Sequence, residues 1–397
     1  MLFTNFMPRQ KVIGIIFLFL VILCLILSVV FRDKSILHYV QGISYYENEE
    51  FEKAILEFSE AIYINPKNTN AYIYRGCAYS LVGRHKLAIS DFSEALKINP
   101  RLYRAYYNRG LDYCAIGEYD SAIIDYTKAL VINPKDAQAF YDRGCAYCDK
   151  DEFSRAISDM TNAIKINPEY VDAYMTRGLA YYEVGKYDLA ISDCTKAIEI
   201  NPKDANSYYN RGLYYSEIGE YDQAISDYTR AIKVNPIDAN TYYNRGCVYY
   251  DKGEFNKAIS DLTNAIKINP KDADAYYCRG ISYGEKGEYN RAISDAERVI
   301  ELNPKYTDAC YVRGLSHYYM GEYDKAVSDY TKAIEIDPNY TMAYNDRAFL
   351  YMLKGEYDKA WWDVYKTLYL DFLDLINFLK EPARFQTNKN KSHNAYD

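Results

Sequence analysis

Residues 205–238 read ANSYYNRGLYYSEIGEYDQAISDYTRAIKVNPID, and this stretch decides the fold. Apolar and aromatic side chains recur at helical spacing in both halves. The first half has Tyr208, Leu213 and Tyr215; the second has Tyr221, Ala224, Ile225, Tyr228, Ala231 and Ile232. Gly219 stands between them, where a helix C-terminus takes a residue that tolerates positive φ. Pro236 stops the second half, because it lacks an N–H and its ring crowds the preceding turn. Asp204 or Asn206 offers a side-chain oxygen to cap the start. The stretch therefore predicts a helix, a tight turn and an antiparallel helix. Gly212 sits inside the first helix, where glycine costs about 1 kcal/mol relative to alanine, so a close backbone approach is expected there.

Working outward, the same pattern returns every 34 residues. Asn/Asp-Pro pairs end at Pro66, Pro100, Pro134, Pro168, Pro202, Pro236, Pro270, Pro304 and Pro338. One glycine ladder runs from Gly42 through Gly76 and Gly110 to Gly314, and a second from Gly83 and Gly117 through Gly185 to Gly355. With so regular a period, 397 residues form one array rather than two or three ordinary domains. A single unit has too few apolar side chains to stand alone, so neighbours must complete its core.

The aromatic–Gly–Tyr–Ala–aromatic–Ala–Pro frame, for example Tyr106, Gly110, Tyr113, Ala122, Tyr126, Ala129 and Pro134, resembles the tetratricopeptide repeat (TPR) family. The resemblance covers Ser35 to about Asp374, ten repeats. It implies an all-α TPR solenoid, a right-handed superhelix of antiparallel helix pairs. Departures are Ala348 for Gly and Phe372 for Pro in the last repeat, and Ala296 and Val299 in the eighth.

The position before the first glycine is usually apolar in that family. Here it holds Arg75, Arg109, Arg143, Arg177, Arg211, Arg245, Arg279, Arg313 and Arg347, each followed sixteen residues later by an aspartate, Asp91 to Asp363. The first repeat breaks both positions together, with Gln41 and Glu57. Two readings are open: solvated surface charges worth about 0–1 kcal/mol, or a partly buried pair within a repeat or across its border.

Three segments follow: 1–34, 35–374 and 375–397. Val12 to Phe31 is a run of twenty uncharged residues, long enough as a helix to cross about 30 Å of hydrocarbon. It predicts a single-pass transmembrane helix preceding the array. No A-x-A cleavage site follows it, since the first alanine is Ala54. Arg9 and Lys11 before it balance Arg32 and Lys34 after it, leaving the side of the array undetermined. Asp371 to Lys380 reads as an extra amphipathic helix capping the last repeat, followed by a disordered polar tail.

Net charge −8 disfavours a nucleic-acid partner, and 4 His leave little for metal or acid–base work. Gly280-Ile281-Ser282-Tyr283-Gly284 matches G-x-S-x-G, but falls inside an expected helix rather than a strand-to-helix elbow. Cys145-Ala146-Tyr147-Cys148 lacks a second ligand pair and reads as packing. No enzyme, cofactor, metal or small-molecule substrate is expected.

The resemblance implies that first helices line a concave groove holding a protein or peptide segment. The matching positions are Tyr107, Asn108, Tyr141, Asp142, Asp172, Tyr209, Asn210, Tyr243, Asn244, Asp274, Tyr277, Asp308 and Tyr311. Tyr39, Asp149, Glu183, Glu217, Asp251 and Glu285 extend the set, with Arg104 the lone cation. Tyrosine pairs area with a hydroxyl at low entropy cost, which suits recognition, although packing on neighbouring helices explains it equally well. The acids predict a basic or polar segment, bound by a noncatalytic, membrane-anchored scaffold. The alternative is an exported or periplasmic cell-envelope assembly factor using the same solenoid.

Overall fold

The computed structural model describes residues 34–380, and the apolar run Val12 to Phe31 and the polar tail lie outside the described residues. Packing divides the chain into two compact units, Met1–Pro202 and Lys203–Asp397. The first contains α1 (residues 34–47), α2 (Phe51–Ile64), α3 (Thr69–Leu81), α4 (His85–Ile98), α5 (Tyr103–Ala115), α6 (Tyr119–Ile132), α7 (Ala137–Cys148), α8 (Phe153–Ile166), α9 (Val171–Glu183) and α10 (Tyr187–Ile200). The second contains α11 (Ala205–Glu217), α12 (Tyr221–Val234), α13 (Ala239–Asp251), α14 (Phe255–Ile268), α15 (Ala273–Glu285), α16 (Tyr289–Leu302), α17 (Thr307–Tyr319), α18 (Tyr323–Ile336), α19 (Thr341–Leu353) and α20 (Tyr357–Lys380). Among the described residues there is no strand.

Local signals place the helix ends. Asp204 caps α11 by accepting the Ser207 N–H at 3.0 Å, and Asp136 caps α7 in the same way through Gln138 and Ala139. At the turn, Gly219 takes φ 78° and the Glu220 N–H reaches back to the Tyr215 carbonyl at 2.9 Å. This satisfies an orphan carbonyl of the helix end. The glycine ladder skips residues 49 and 151, yet Glu49 and Asp151 adopt the same left-handed geometry, φ 61° and 57°. Tertiary packing imposes the turn even where a Cβ opposes it.

The mid-helix glycines are explained by what faces them. A Cβ on Gly110 would lie 2.7 Å from the Tyr126 ring, and one on Gly76 2.8 Å from Phe92. Where the residue sixteen positions on is small, the crowding disappears: Gly280, opposite Ala296, has no such contact under 3.4 Å. The last repeat pairs Ala348 with the slimmer Val364. Alanines of the second helices, Ala122 and Ala129 among them, are fully buried. In α11 the fully buried aromatic is Tyr214, with Tyr208 and Tyr215 only half-buried, so the expected register shifts by one residue there.

The arginine–aspartate question resolves in favour of buried pairs, made within a repeat and not across its border; the border-crossing contact goes to a hydroxyl instead. All nine pairs close between 2.5 and 2.8 Å, each within its own repeat. Arg109 Nε and Nη2 form a fork to Asp125 at 2.6 and 2.9 Å, while Nη1 donates to Ser93 of the preceding repeat at 2.7 Å. That hydroxyl in turn donates to the Ile89 carbonyl. Arg75, Arg143, Arg177, Arg245, Arg279 and Arg347 repeat this border-crossing contact with Ser59, Thr127, Thr161, Thr229, Thr263 and Thr331. In most repeats aromatic rings three before and four after lie against the guanidinium, as Tyr106 and Tyr113 do at 5.8 and 5.9 Å from Arg109; Arg313 has Cys310 and His317 at these positions. Burial works against the Arg109 charge, but the Asp125 bonds and field outweigh it, and its pKa rises. In the first repeat Glu57 takes His38 instead, at 2.7 Å.

The carboxy-terminal end differs from expectation. Asp371 to Lys380 is no separate cap: α20 runs unbroken for 24 residues, because Phe372 stands where other repeats have the helix-stopping proline. A continuous helix does not fold back, and Trp361, Trp362, Tyr365, Leu368 and Phe372 stay exposed. Among the described residues no helix is long and apolar enough to cross a membrane.

Two substitutions check this account. Arg109→Ala leaves Asp125 buried without its partner and is expected to lower stability in urea unfolding by about 3 kcal/mol. The double change Arg109→Ala, Asp125→Ala should recover part of that, and a single-variant loss under ~1 kcal/mol would mean the pair is merely a surface one. Asp151→Gly should stabilise by about 1 kcal/mol by relieving its positive φ.

Candidate protein-binding face

Within each compact unit the first helices of successive repeats touch, α3 to α5, α5 to α7 and α7 to α9 in one, α11 to α13, α13 to α15 and α15 to α17 in the other. Side chains on this side therefore neighbour residues one repeat away. The sequence-predicted positions lie along it, mostly half-buried, with Asp172 and Asp274 exposed and Tyr311 buried.

Many of these groups are each other's partners. The Tyr107 hydroxyl donates to Asp142 at 2.6 Å, and Gln138 adds a second bond to the same carboxylate at 3.1 Å. Asn244 donates to the Tyr209 hydroxyl at 2.8 Å. Asp274 accepts from Tyr306 at 2.8 Å, whose ring lies 5.3 Å from Tyr277. Asp308 accepts from Tyr340 at 2.6 Å. Tyr311 packs on Tyr330 and Tyr340 and donates to Asp346 at 2.9 Å. Tyr141 lies 5.1 Å from the Tyr170 ring, and Tyr243 comes within 3.6 Å of Cys278 Sγ. Asn108 donates to Cys77 Sγ at 3.2 Å, so its amide is engaged rather than offered. Asp172 and Asn210 make no side-chain bond to another described residue.

Tyr170, Tyr306, Tyr340 and Asp346 were missed from the sequence, although a signal exists. Hydroxyl–acid partners stand 35 apart (Tyr107 and Asp142, Tyr311 and Asp346) or 32 apart (Tyr306 and Asp274, Tyr340 and Asp308). One period plus one, or minus two, is the offset of adjacent first helices. Searching within one repeat cannot reveal it.

Burial shapes the electrostatics. Asp142 is raised above the usual carboxylate range chiefly by burial, which the bonds from Tyr107 and Gln138 offset in part. Burial alone raises Asp251. Burial, then Asp142, raises the Tyr107 hydroxyl, and burial pushes Tyr141 to about 12. Arg104 stands in a cleft of about 620 Å³ with Tyr46, Tyr74, Tyr103, Tyr107 and Asn108. It makes no ion pair with another described residue.

The motifs that invited a chemical reading are occupied structurally. Ser282 is buried within α15, its hydroxyl donating to the Cys278 carbonyl at 2.7 Å. Burial pushes the Cys145 and Cys148 thiols up to about 12 and about 11, away from a reactive thiolate. Among the described residues no group of three His, Cys, Asp or Glu side chains is placed to hold a metal.

Comparison with known proteins identifies the repeat. Profiles described as tetratricopeptide repeat match 69–102 and 137–170, then 103–136, 171–204, 205–238, 273–306 and 307–340, and also 227–260 and 329–361. A further profile, TPR repeat, matches 246–287. No curated protein matches. Among solved structures, MamA is 33% identical, with 42% of this chain and 96% of that one covered, TM-score 0.40. YrrB, described as a TPR protein with an unusual peptide-binding site, is 26% identical over 46% and 95%, TM-score 0.41. A tetratricopeptide repeat protein from Parabacteroides merdae is 23% identical over 62% and 98%, TM-score 0.48.

Removing the Tyr107 hydroxyl tests the pairing. Tyr107→Phe should cost about 1 kcal/mol and move the Asp142 pKa further up, read by carboxyl NMR titration. An unmoved Asp142 would mean that the bond does not persist in solution.

Proposed function

We propose, from the premise that this chain belongs to the tetratricopeptide-repeat family, that it is a noncatalytic scaffold binding a basic or polar protein segment on its first-helix face. The observation that carries the reading is the composition of that face: tyrosines interleaved with carboxylates, with few cations. A carboxylate bonded by one hydroxyl keeps lone pairs for an incoming ammonium or guanidinium. Asp172 is open, and Asp142, Asp274 and Asp308 each present a carboxylate fixed in place by a tyrosine. Fixing them before binding lowers the ordering cost that a partner meets. The apolar run Val12 to Phe31 tethers the scaffold to a membrane in this proposal.

The test uses full-length protein and fluorescein-labelled decapeptides, one alternating Lys and Ser, one alternating Glu and Ser. The lysine peptide should bind better and lose affinity as salt rises. Asp172→Asn and Asp274→Asn should each weaken it by up to about fivefold, equivalent to ~1 kcal/mol. Because Asp142 and Asp251 hold protons to higher pH than ordinary aspartates, acidification removes charge from this face early. Affinity should therefore fall on acidification before ordinary carboxylates titrate. Preference for the glutamate peptide would overturn the reading. A mature chain found by mass spectrometry to begin beyond residue 31 would overturn the tether.

A further inference from the structure

The most informative pair of side chains outside the binding argument is a cysteine pair. Cys247 on α13 and Cys278 on α15 stand 31 positions apart, and their sulfurs approach to 3.9 Å. The arrangement follows from repeat geometry rather than chance. The same two positions in the other compact unit are Cys77 and Asn108, which meet at 3.2 Å. Only at 247 and 278, among the described residues, are both positions cysteine. Both residues are partly exposed while their thiols are deeply packed, so only a small oxidant such as hydrogen peroxide suits the pair.

We infer that Cys247 and Cys278 are a disulfide-forming modification site, closed by a peroxide, that ties the first helices of adjacent repeats together. A disulfide needs the sulfurs to close from 3.9 Å to about 2.05 Å, between helices α13 and α15 that already touch. The step balances. The Cys278 thiolate attacks one peroxide oxygen, forming S–O and breaking O–O, and the departing hydroxide leaves as water with a proton. Cys247 sulfur, giving its proton to solvent, then attacks the Cys278 sulfur, forming S–S and expelling the oxygen as a second water. Two thiols and one hydrogen peroxide give one disulfide and two waters; sulfur is oxidised and peroxide reduced.

The surroundings set the order of attack. A bond from the Cys247 thiol, helped by Tyr243, lowers the Cys278 pKa against the burial that raises it. Cys247 itself is raised, first by its bond with Cys278 and then by burial. A Cys247 thiol that donates to Cys278 fits a resolving cysteine beside an attacking one. The C-x-x-C at Cys145 and Cys148 offers no such asymmetry, since burial raises both. Closure also fixes Tyr243 and Asn244 on the candidate binding face, because both lie on α13 beside Cys247.

Full-length reduced protein is treated with hydrogen peroxide, alkylated and digested without reductant. Mass spectrometry should find peptides containing Cys247 and Cys278 joined, about 2 Da below their summed mass, and separable by dithiothreitol. This cross-link should form several-fold faster than any other cysteine pairing. In Cys247→Ser the cross-link is lost and Cys278 is trapped by dimedone as a sulfenic acid. Since serine is smaller than cysteine, a melting scan of the reduced variant checks that the fold is retained. Both thiols remaining alkylatable while Cys145 or Cys148 oxidises would overturn the assignment, as would a linkage no faster than the others. None of these readouts depends on a peptide partner.

Discussion

The structure depends on one buried ion pair made nine times. An arginine in the middle of a first helix forks onto an aspartate of its own second helix, and at least seven of the nine also reach a Ser or Thr hydroxyl within the second helix of the preceding repeat. The aspartate side chains are almost wholly buried, 1 to 7% exposed, so an unmatched charge there is costly. In most repeats aromatic rings above and below complete the guanidinium's surroundings. The pair therefore sets both the angle within a hairpin and the register between hairpins. Arg313 shows the dependence: with Glu297 where others have Ser or Thr, its Nε spans both Asp329 oxygens at 3.1 Å instead of forking cleanly.

Around that pair, packing is reciprocal. A ring at one position demands glycine opposite, and a small residue releases the demand, as Gly110 with Tyr126 and Ala348 near Val364 illustrate. The abundant tyrosines divide into three employments. Some stack on the arginines, some fill the space over glycines, and some bond carboxylates on the first-helix face.

For that face, internal pairing changes how the acids act. Asp142 is a fixed acceptor held by Tyr107 and Gln138 rather than a mobile solvated charge. Its burial shifts its titration upward, which couples the face's charge to pH. Asp172, by contrast, remains solvated. Asn108, expected to offer its amide to a peptide, instead serves Cys77.

Periodicity by itself determined the helix-pair architecture, the turn glycines, the proline stops and the arginine–aspartate partnership, because each is a local or single-period relation repeated many times. Sequence also put the candidate residues on first helices, since position within a repeat determines which helix a residue occupies. Tertiary structure decided the rest. Whether Asp204 or Asn206 caps, whether Tyr214 or Tyr215 is buried, and whether Asp371 to Lys380 folds back or continues α20 all turn on one residue of register or one missing proline. The cross-repeat contacts at offsets of 31, 32 and 35, including Cys247 with Cys278, arise only when neighbouring first helices are laid side by side. A one-dimensional pattern records which residues recur; the rotation between stacked helices decides which of them meet.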